Sequence, residues 1–147
     1  VSWVPSYGPE MRGGTANCTV ILSDERIGSP LVEYPSEVVV MNRAALAKFG
    51  PHVQKGGIMF INSSIVPDKV DRDDVKVYYV PCDDIARELG NPKVSNMVML
   101  GAYVAATKVL KVETIENMIH EMFTGKKAKL VPLNMEALKR GIACVEG

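Results

Sequence analysis

The chain of 147 residues has too few cysteines, too far apart, to build a metal site or a disulfide scaffold by itself. Cys18, Cys82 and Cys144 form no C-x-x-C pair, which excludes a self-contained iron–sulfur or zinc site in this sequence. An odd and sparse cysteine count also fits reduced cytosolic thiols better than disulfides. We therefore expect three packing thiols, no bound metal and a cytoplasmic protein.

Long apolar runs and an excess of positive charge are absent as well. No apolar run reaches the roughly 20 residues that span a bilayer, and the chain does not open with the charged and apolar segments of a signal peptide. The formal net charge is zero, so the sequence lacks the basic stripe with which general nucleic-acid binders displace counterions. The expected partners therefore include neither a membrane nor a nucleic acid.

The residues of a self-sufficient hydrolase are also missing. There is no G-x-S-x-G nucleophile elbow and no nearby order of serine, histidine and aspartate. The only histidines, His52 and His120, have no partner at metal-ligand spacing. The sequence therefore argues against a hydrolase that acts alone.

What the sequence does contain is an alternation of strand-like and helix-like segments, which we assign to one domain, residues 1–147. Apolar, β-branched runs predict strands at 1–4, 16–23, 37–41, 58–61 and 75–80. Helices are predicted at 43–49, 81–89, 94–110, 115–123 and from 134 onward, with Asn42, Thr114 or a neighbour, and Asn134 as N-caps. Strands separated by helices favour a mostly parallel α/β sheet.

The most informative stretch is residues 6–15, which read S-Y-G-P-E-M-R-G-G-T. Gly13 and Gly14 permit backbone shapes that are closed to other residues and let a partner approach closely. Glu10 and Arg12 place opposite charges on the same short loop. Because binding residues concentrate on connecting loops, this stretch is a candidate site, although a tight turn with a solvated ion pair would have the same composition.

Residues 6–17, S-Y-G-P-E-M-R-G-G-T-A-N, closely resemble the gamma subunit of 2-oxoacid:ferredoxin (acceptor) oxidoreductases of the 2-oxoglutarate and branched-chain types. The matching domain of pyruvate:ferredoxin oxidoreductase is similar too. The resemblance continues in order through I-G-S-P at 27–30, M-N at 41–42, G-G at 56–57, N-S-S at 62–64, N-M-V at 96–98, L-G-A at 100–102 and P-L-N at 132–134. It covers essentially the whole chain.

The resemblance implies one subunit of an enzyme, inactive by itself. The family oxidatively decarboxylates a 2-oxoacid, such as 2-oxoglutarate, in the presence of coenzyme A, and makes acyl-CoA, carbon dioxide and reduced ferredoxin. Thiamine diphosphate, magnesium and iron–sulfur clusters are expected on the alpha, beta or delta subunits, and ferredoxin is met through the complex. No cofactor is assigned to this chain alone, and coenzyme A is a candidate ligand at a site shared with its partners.

The implied fold is a Rossmann-like, mostly parallel sheet flanked by helices, as in domain III of pyruvate:ferredoxin oxidoreductase. Family members normally begin with a strand, a loop of the G-x-G-G-Q-G kind and a helix, all of which would precede Val1. Such a loop would place backbone N–H groups against an anionic ligand. We expect the present sequence to lack that first strand, loop and helix, so no ligand role of theirs is carried over.

The expected site residues form a surface that faces either coenzyme A or another subunit: Tyr7, Glu10, Arg12, Gly13, Gly14, Asn62 and Ser63. A guanidinium on a glycine-rich loop suits phosphate recognition, but Arg12 can equally pair with Glu10 or contact another subunit. Asn62 and Ser63 follow an apolar strand, at the sheet edge where ligands collect in open α/β folds. They can donate hydrogen bonds to a ligand or cap the turn, and we favour the cap.

Two other functions stay open. A stand-alone Rossmann-like cofactor-binding protein would need an N-terminal glycine-rich loop followed by an acidic residue after its second strand, and the sequence shows no such loop. A docking subunit without ligand contact would share all the features above. Binding of coenzyme A is the property that separates these functions.

Overall fold

The computed structural model describes residues 1–7 and 16–147, with only the backbone of Tyr7. The predicted loop residues Glu10, Arg12, Gly13 and Gly14 therefore lie outside the described part of the chain. The chain divides into two compact units, Val1–Pro35 and Ser36–Gly147. The assignment of residues 1–147 to one domain stays a prediction.

The first unit is built on a two-stranded antiparallel sheet. Strands β1 (Ser2–Tyr7) and β2 (Ala16–Ile21) pair in a register that places Ser2 opposite Ile21. Both strands were predicted from their composition, but they pair with each other and run antiparallel, so the parallel pairing does not extend to this unit. None of the side chains described in this unit is buried.

The second unit contains a parallel sheet of strands β3 (Glu37–Val40), β4 (Ile58–Asn62) and β5 (Lys76–Val80) in the order β3-β4-β5. Helix α1 lies between the first two strands in sequence, and helices follow the third, so the predicted parallel α/β architecture is confirmed here. Strand β4 is central and buried from Met59 to Asn62. Strand β3 is an edge strand of this sheet, which explains why Val39 is exposed despite its apolar run.

The described part of the chain contains five α-helices: α1 (Arg43–Phe49), α2 (Cys82–Glu88), α3 (Ser95–Thr107), α4 (Val112–Met122) and α5 (Val131–Glu146). Asn42 caps α1 as predicted, because its Oδ1 accepts from Ala45 N–H at 2.8 Å. The other two cap predictions are wrong. Helix α4 begins at Val112, before Thr114, and α5 begins at Val131 with proline in its first turn, a position that proline favours.

Asn134 lies inside α5 instead of capping it. Its side chain is buried, and Nδ2 donates to the carbonyl oxygen of Leu130, four residues back, at 2.8 Å. This bond satisfies one buried polar group that would otherwise carry a desolvation cost. Asparagine can act as a cap or bond back within a helix, and sequence alone does not distinguish these uses.

The two faces of the parallel sheet contact different helices. Phe60 and Val80 pack with residues of α2, α3 and α5 on one face. Met59 and Ile61 alternate with Phe60 along β4 and pack on the other face, in a cluster that α1 joins. Both faces of β4 are therefore covered. Within the described residues no helix is long and apolar enough to cross a membrane.

Helices α3 and α5 approach each other closely where glycines replace larger side chains. A Cβ added at Gly101 would meet the carbonyl oxygen of Leu138, and one at Gly141 would meet that of Val98. The glycine of α3 thus permits a close approach to α5, whose own glycine faces α3.

Candidate functional site

The candidate site lies where the parallel strands end. Strands β3, β4 and β5 run in the same direction, so their carboxyl ends meet at one edge of the sheet. We call the residues at and just beyond these ends the carboxyl edge: 41–42, 62–64 and 81–84. Ligands of open α/β sheets bind in the crevice outside this kind of edge.

Asn62, the last residue of β4, is fully buried at this edge. Its Oδ1 accepts from Ser64 N–H at 3.3 Å, and its main-chain oxygen accepts from the N–H groups of Ile65 and Val66. The turn-capping interpretation of Asn62 is therefore confirmed. Its Nδ2, however, is buried and has no hydrogen-bond partner among the described residues. An unpaired buried donor costs about 1–3 kcal/mol, so a water or ligand acceptor here would be stabilising.

Ser63 and Ser64 make different contacts. The backbone N–H of Ser63 donates to Val80 O at 3.0 Å and extends the pairing of β4 with β5, while its side chain is half-buried. The hydroxyl of Ser64 accepts from Asp84 N–H at 3.0 Å and lies 2.9 Å from the Asp84 carboxylate, to which it donates. Ser64 thus supplies the side-chain cap that α2 lacks at its own N-cap residue, Pro81.

The charges around α2 disfavour an anion at this part of the edge. Asp83 and Asp84 occupy the first turn of the helix, where the positive end of the helix dipole lies, and Asp84 also pairs with Arg87 at 3.0 Å. Two carboxylates there would repel a phosphate. The edge between β4 and β5 therefore offers neutral donors, Asn62 Nδ2 and the Ser63 hydroxyl, and is better suited to an uncharged polar group.

Near the start of α1, a surface ion pair lies beside the carboxyl edge. Arg43 donates to Asp68 Oδ1 at 2.8 Å, and this joins the start of α1 to the segment after β4. Oδ2 of Asp68 is buried without a partner among the described residues. Both buried side-chain atoms found without a partner in the described ranges therefore belong to residues 62–68. Buried polar atoms are normally hydrogen-bonded, so Asn62 Nδ2 and Asp68 Oδ2 make this segment a candidate for contact with a water or a ligand.

The crossover from β4 to β5 is held by Arg72. Its guanidinium makes two hydrogen bonds to the Asp74 carboxylate, at 2.8 and 2.7 Å, and donates to the main-chain oxygens of Gly50 and Val53. The hydrogen bond from Arg72 lowers the pKa of Asp74 below its usual value of 3.8. These contacts fix the crossover and the end of α1 with a geometry that lysine cannot reproduce.

Cys82, at the start of α2, is not a nucleophile at neutral pH. Its thiol is fully buried, and burial, with Asp83 and Cys144 as lesser causes, raises its pKa to about 12. The thiolate is the reactive form, so this group is inert near neutral pH. In the described ranges, no cluster of three or more histidine, cysteine or acidic residues is arranged to hold a metal ion.

An open pocket of about 530 Å³ lies elsewhere, between the end of α4 and the start of α5. Its walls include Phe123, Ala128 and Val131, and among its described lining residues only His120 is titratable. A single histidine without a partner acid or base cannot form a general acid–base pair, so we do not assign chemistry to this pocket.

The structure brings together only part of the predicted site. Asn62 and Ser63 are adjacent at the carboxyl edge, Tyr7 ends β1 in the first unit, and the remaining loop residues lie outside the described ranges. The sequence reasoning missed Asp84 and Asp68, which contact this edge from distant positions in the chain. An acidic residue at a helix start and an aspartate after Pro67 carried the only local signals, and both are common at sites without function.

Comparison with known proteins identifies a matching protein family. Residues 1–144 match the family model described as pyruvate ferredoxin/flavodoxin oxidoreductase. The chain is 36% identical over 141 residues to ketoisovalerate oxidoreductase subunit VorA of Methanothermobacter marburgensis, covering 95% of this chain and 29% of VorA. It is 37% identical over 116 residues to 2-oxoglutarate synthase subunit KorC of Methanocaldococcus jannaschii, covering 78% of this chain and 62% of KorC.

A solved structure has the same fold. The gamma subunit of a keto/oxoacid ferredoxin oxidoreductase from Geobacter sulfurreducens superposes with a TM-score of 0.79 and 26% identity, covering 99% of this chain and 79% of that one. The Rossmann-like α/β fold inferred from the sequence is thereby confirmed. The chain spans less than two thirds of the length of VorA and of KorC.

Proposed function

The chain belongs to the pyruvate ferredoxin/flavodoxin oxidoreductase family, and we propose that it serves as the gamma subunit of a 2-oxoacid:ferredoxin (acceptor) oxidoreductase. In this role it contributes to the CoA-dependent oxidative decarboxylation of a 2-oxoacid, such as 2-oxoglutarate, to acyl-CoA and carbon dioxide, with reduction of ferredoxin. The observation that carries the proposal is the family match over residues 1–144, together with relatives named as subunits of such enzymes.

The described residues support the proposed division of chemistry between this chain and its partners. The carboxyl edge presents hydrogen-bond donors and caps, and its one thiol, Cys82, is protonated and buried. Such an edge can bind and orient a polar molecule but has no activated nucleophile of its own. Thiamine diphosphate, magnesium and iron–sulfur clusters would accordingly be held by alpha, beta or delta partner subunits, which also pass electrons to ferredoxin.

We further propose that this chain forms part of a shared coenzyme A site. On this proposal the guanidinium of Arg12 meets the phosphates, because a guanidinium suits them, and Tyr7, Glu10, Gly13 and Gly14 belong to the same candidate stretch of sequence. As an independent candidate contact, Asn62 and Ser63 in the second unit would suit an uncharged polar group of a ligand, since the carboxylates at the start of α2 repel anions. The unpartnered Nδ2 of Asn62 supports a polar ligand at that edge.

The experiment for the function is reconstitution. This chain, combined with its thiamine-binding and cluster-binding partners, should catalyse 2-oxoacid-dependent and CoA-dependent reduction of methyl viologen or ferredoxin. The partners without this chain, and this chain alone, should be inactive. Turnover by this chain alone, or full turnover by the partners without it, would overturn the proposal.

The experiment for the site compares two serines in the assembled enzyme. Ser63→Ala removes a hydroxyl at the carboxyl edge, and loss of one hydrogen bond of about 0.5–1.5 kcal/mol should raise the KM for coenzyme A about two- to tenfold. Ser36→Ala, an exposed serine ahead of β3 at the opposite edge, is the matched control and should leave that KM unchanged. Arg12→Ala should raise the KM for coenzyme A further, about ten- to a hundredfold, because the hydrogen bond lost would join the guanidinium to a charged phosphate.

The outcome also decides between binding and docking roles. If neither Ser63→Ala nor Arg12→Ala changes the KM for coenzyme A while turnover still requires this chain, the chain is a docking subunit without ligand contact. The proposed role as a gamma subunit would then be retained, and the proposed coenzyme A site would be rejected.

A further inference from the structure

The open pocket between the end of α4 and the start of α5 has the size and the walls of a small-molecule site. Its volume of about 530 Å³ lies within the usual range for such sites, roughly 300–1,000 Å³. Phe123, Ala128, Val131 and Pro132 give it mainly apolar walls. Walls of this kind favour a ligand with an apolar body, because contact removes apolar surface of both from water.

One wall of this pocket is a 3₁₀ helix, Gly125–Leu130, which connects α4 to α5. A 3₁₀ helix repeats every three residues, so Gly125 and Ala128 lie on the same side of it. Both line the pocket, as does Val131, the residue that follows this helix. The pocket therefore meets a side of the 3₁₀ helix that carries no long side chain, which leaves room for a ligand.

Positive charges stand beside these lining residues. Lys126, Lys127 and Lys129 occupy the other positions of the same wall, all three are exposed, and none forms an ion pair with a described residue. We call these three residues the lysine rim. The acidic residues closest in sequence lie outside the pocket lining: Glu116, Glu121 and Glu136. Residues 124–131 thus contain three cations and no carboxylate, which favours a negative group at the mouth of the pocket.

Two polar side chains in the lining have no partner among the described residues. Thr124 directly precedes the 3₁₀ helix, but its hydroxyl makes no capping hydrogen bond there. His120, near the end of α4, makes no hydrogen bond or ion pair within the described ranges. A hydroxyl and an imidazole N–H can each donate a hydrogen bond to an oxygen. Both side chains are therefore available to the polar end of a ligand.

We propose that this pocket binds an amphipathic anion, a small molecule with an apolar tail and a carboxylate head. The tail lies along Phe123, Ala128 and Val131, and the head lies at the lysine rim, within reach of Thr124 and His120. Lysine attracts an anion as a point charge, so the preference for a charged head is electrostatic and weakens with salt. Binding there is independent of the proposed function, because it requires neither coenzyme A nor another subunit.

The test is a titration of the full chain with decanoate, followed by its amide NMR signals. Signals of the pocket residues, 120–132, should shift and saturate, while those of the carboxyl edge should not move. Decanol has the same tail without the charge and should bind at the same residues at least about threefold more weakly at low salt. This difference should disappear at about 1 M salt, where the screening length falls to about 3 Å.

Two variants separate the tail from the head. Ala128→Trp fills the pocket from an exposed position and should abolish the binding of both decanoate and decanol. Ala143→Trp, at an exposed position near the other end of α5, is its matched control and should leave both affinities unchanged. Replacing the whole lysine rim by glutamine should reduce the affinity for decanoate to that for decanol and leave decanol binding as it was.

A control for net charge completes the design. Glutamine at Lys93, Lys108 and Lys111, three exposed lysines outside the pocket lining, changes the charge of the chain equally and should leave the preference for decanoate intact. Equal affinities for decanoate and decanol in the parent chain, or equal losses in the two glutamine variants, would overturn the inference. Saturable shifts that spare residues 120–132, or the absence of any shift, would overturn it as well. No turnover is measured, so the proposed function stands or falls separately.

Discussion

Replacing Gly141 by alanine tests the closest packing contact in the second unit. A Cβ at this position would meet the carbonyl oxygen of Val98 and lie 2.7 Å from its carbonyl carbon. Carbon atoms normally pack about 3.5–4.0 Å apart, so helices α3 and α5 would have to separate by roughly 1 Å. Backbone atoms cannot rotate away as a flexible side chain can.

Two effects of this substitution oppose each other. Alanine is the better helix former, by about 1 kcal/mol relative to glycine, and this term alone would stabilise α5. Overpacking typically costs about 1–3 kcal/mol, and a gap of 0.5–1 Å forfeits a quarter to a half of each contact it opens. Because backbone atoms obstruct the new Cβ, we expect the steric cost to lie at the upper end of its range, about 3 kcal/mol. Subtracting the propensity gain of about 1 kcal/mol leaves a net destabilisation of about 2 kcal/mol.

The assay is urea unfolding followed by far-UV circular dichroism, supported by thermal unfolding. For a chain of this length, the expected loss corresponds to a Tm about 4–8 °C lower. Ala143→Gly, at an exposed position of the same helix, measures the propensity term in the opposite direction and should cost about 1 kcal/mol. Gly141→Ala should therefore destabilise although propensity alone predicts a gain.

A double substitution sharpens the test. Gly101 faces the carbonyl oxygen of Leu138 across the same contact, so separation of the helices relieves both obstructions at once. Gly101→Ala combined with Gly141→Ala should therefore cost less than the sum of the two single changes. A neutral or stabilising effect of Gly141→Ala would refute the close approach of α3 and α5.

Three further predictions concern polar and titratable groups. Ser64→Ala should destabilise the second unit by about 1 kcal/mol, measured by urea unfolding, because α2 loses its side-chain cap. Arg72 lowers the pKa of Asp74, so the pair stabilises the fold above the ordinary aspartate range and this contribution is lost as the pH falls through the lowered pKa. Asp74→Asn should accordingly be less stable than the parent at pH 7, and the difference should shrink in unfolding experiments at about pH 3. In the lone chain, Cys18 should react with a thiol reagent at neutral pH while Cys82 reacts only on unfolding, since burial raises the pKa of Cys82 to about 12.

Part of the candidate site could be predicted because its signal is local. Asn62 ends a buried apolar strand and Ser63 directly follows it, and ligands of open α/β sheets bind at the carboxyl ends of parallel strands. The contacts of Ser64 with Asp84 and of Arg43 with Asp68 span 20 and 25 residues. No short pattern encodes such pairings, because they depend on how crossovers bring separate segments to one edge.

Periodicity, composition and ordered motifs along the chain were sufficient to predict its strands and helices, the parallel α/β class and the family. The three-dimensional structure was needed to find that β1 and β2 pair antiparallel, that the glycines of α3 and α5 face each other, and that Asn62 Nδ2 is buried without a partner in the described ranges. Local preferences are set by neighbouring residues, whereas pairing, close approach and desolvation are set by atoms that are distant in sequence.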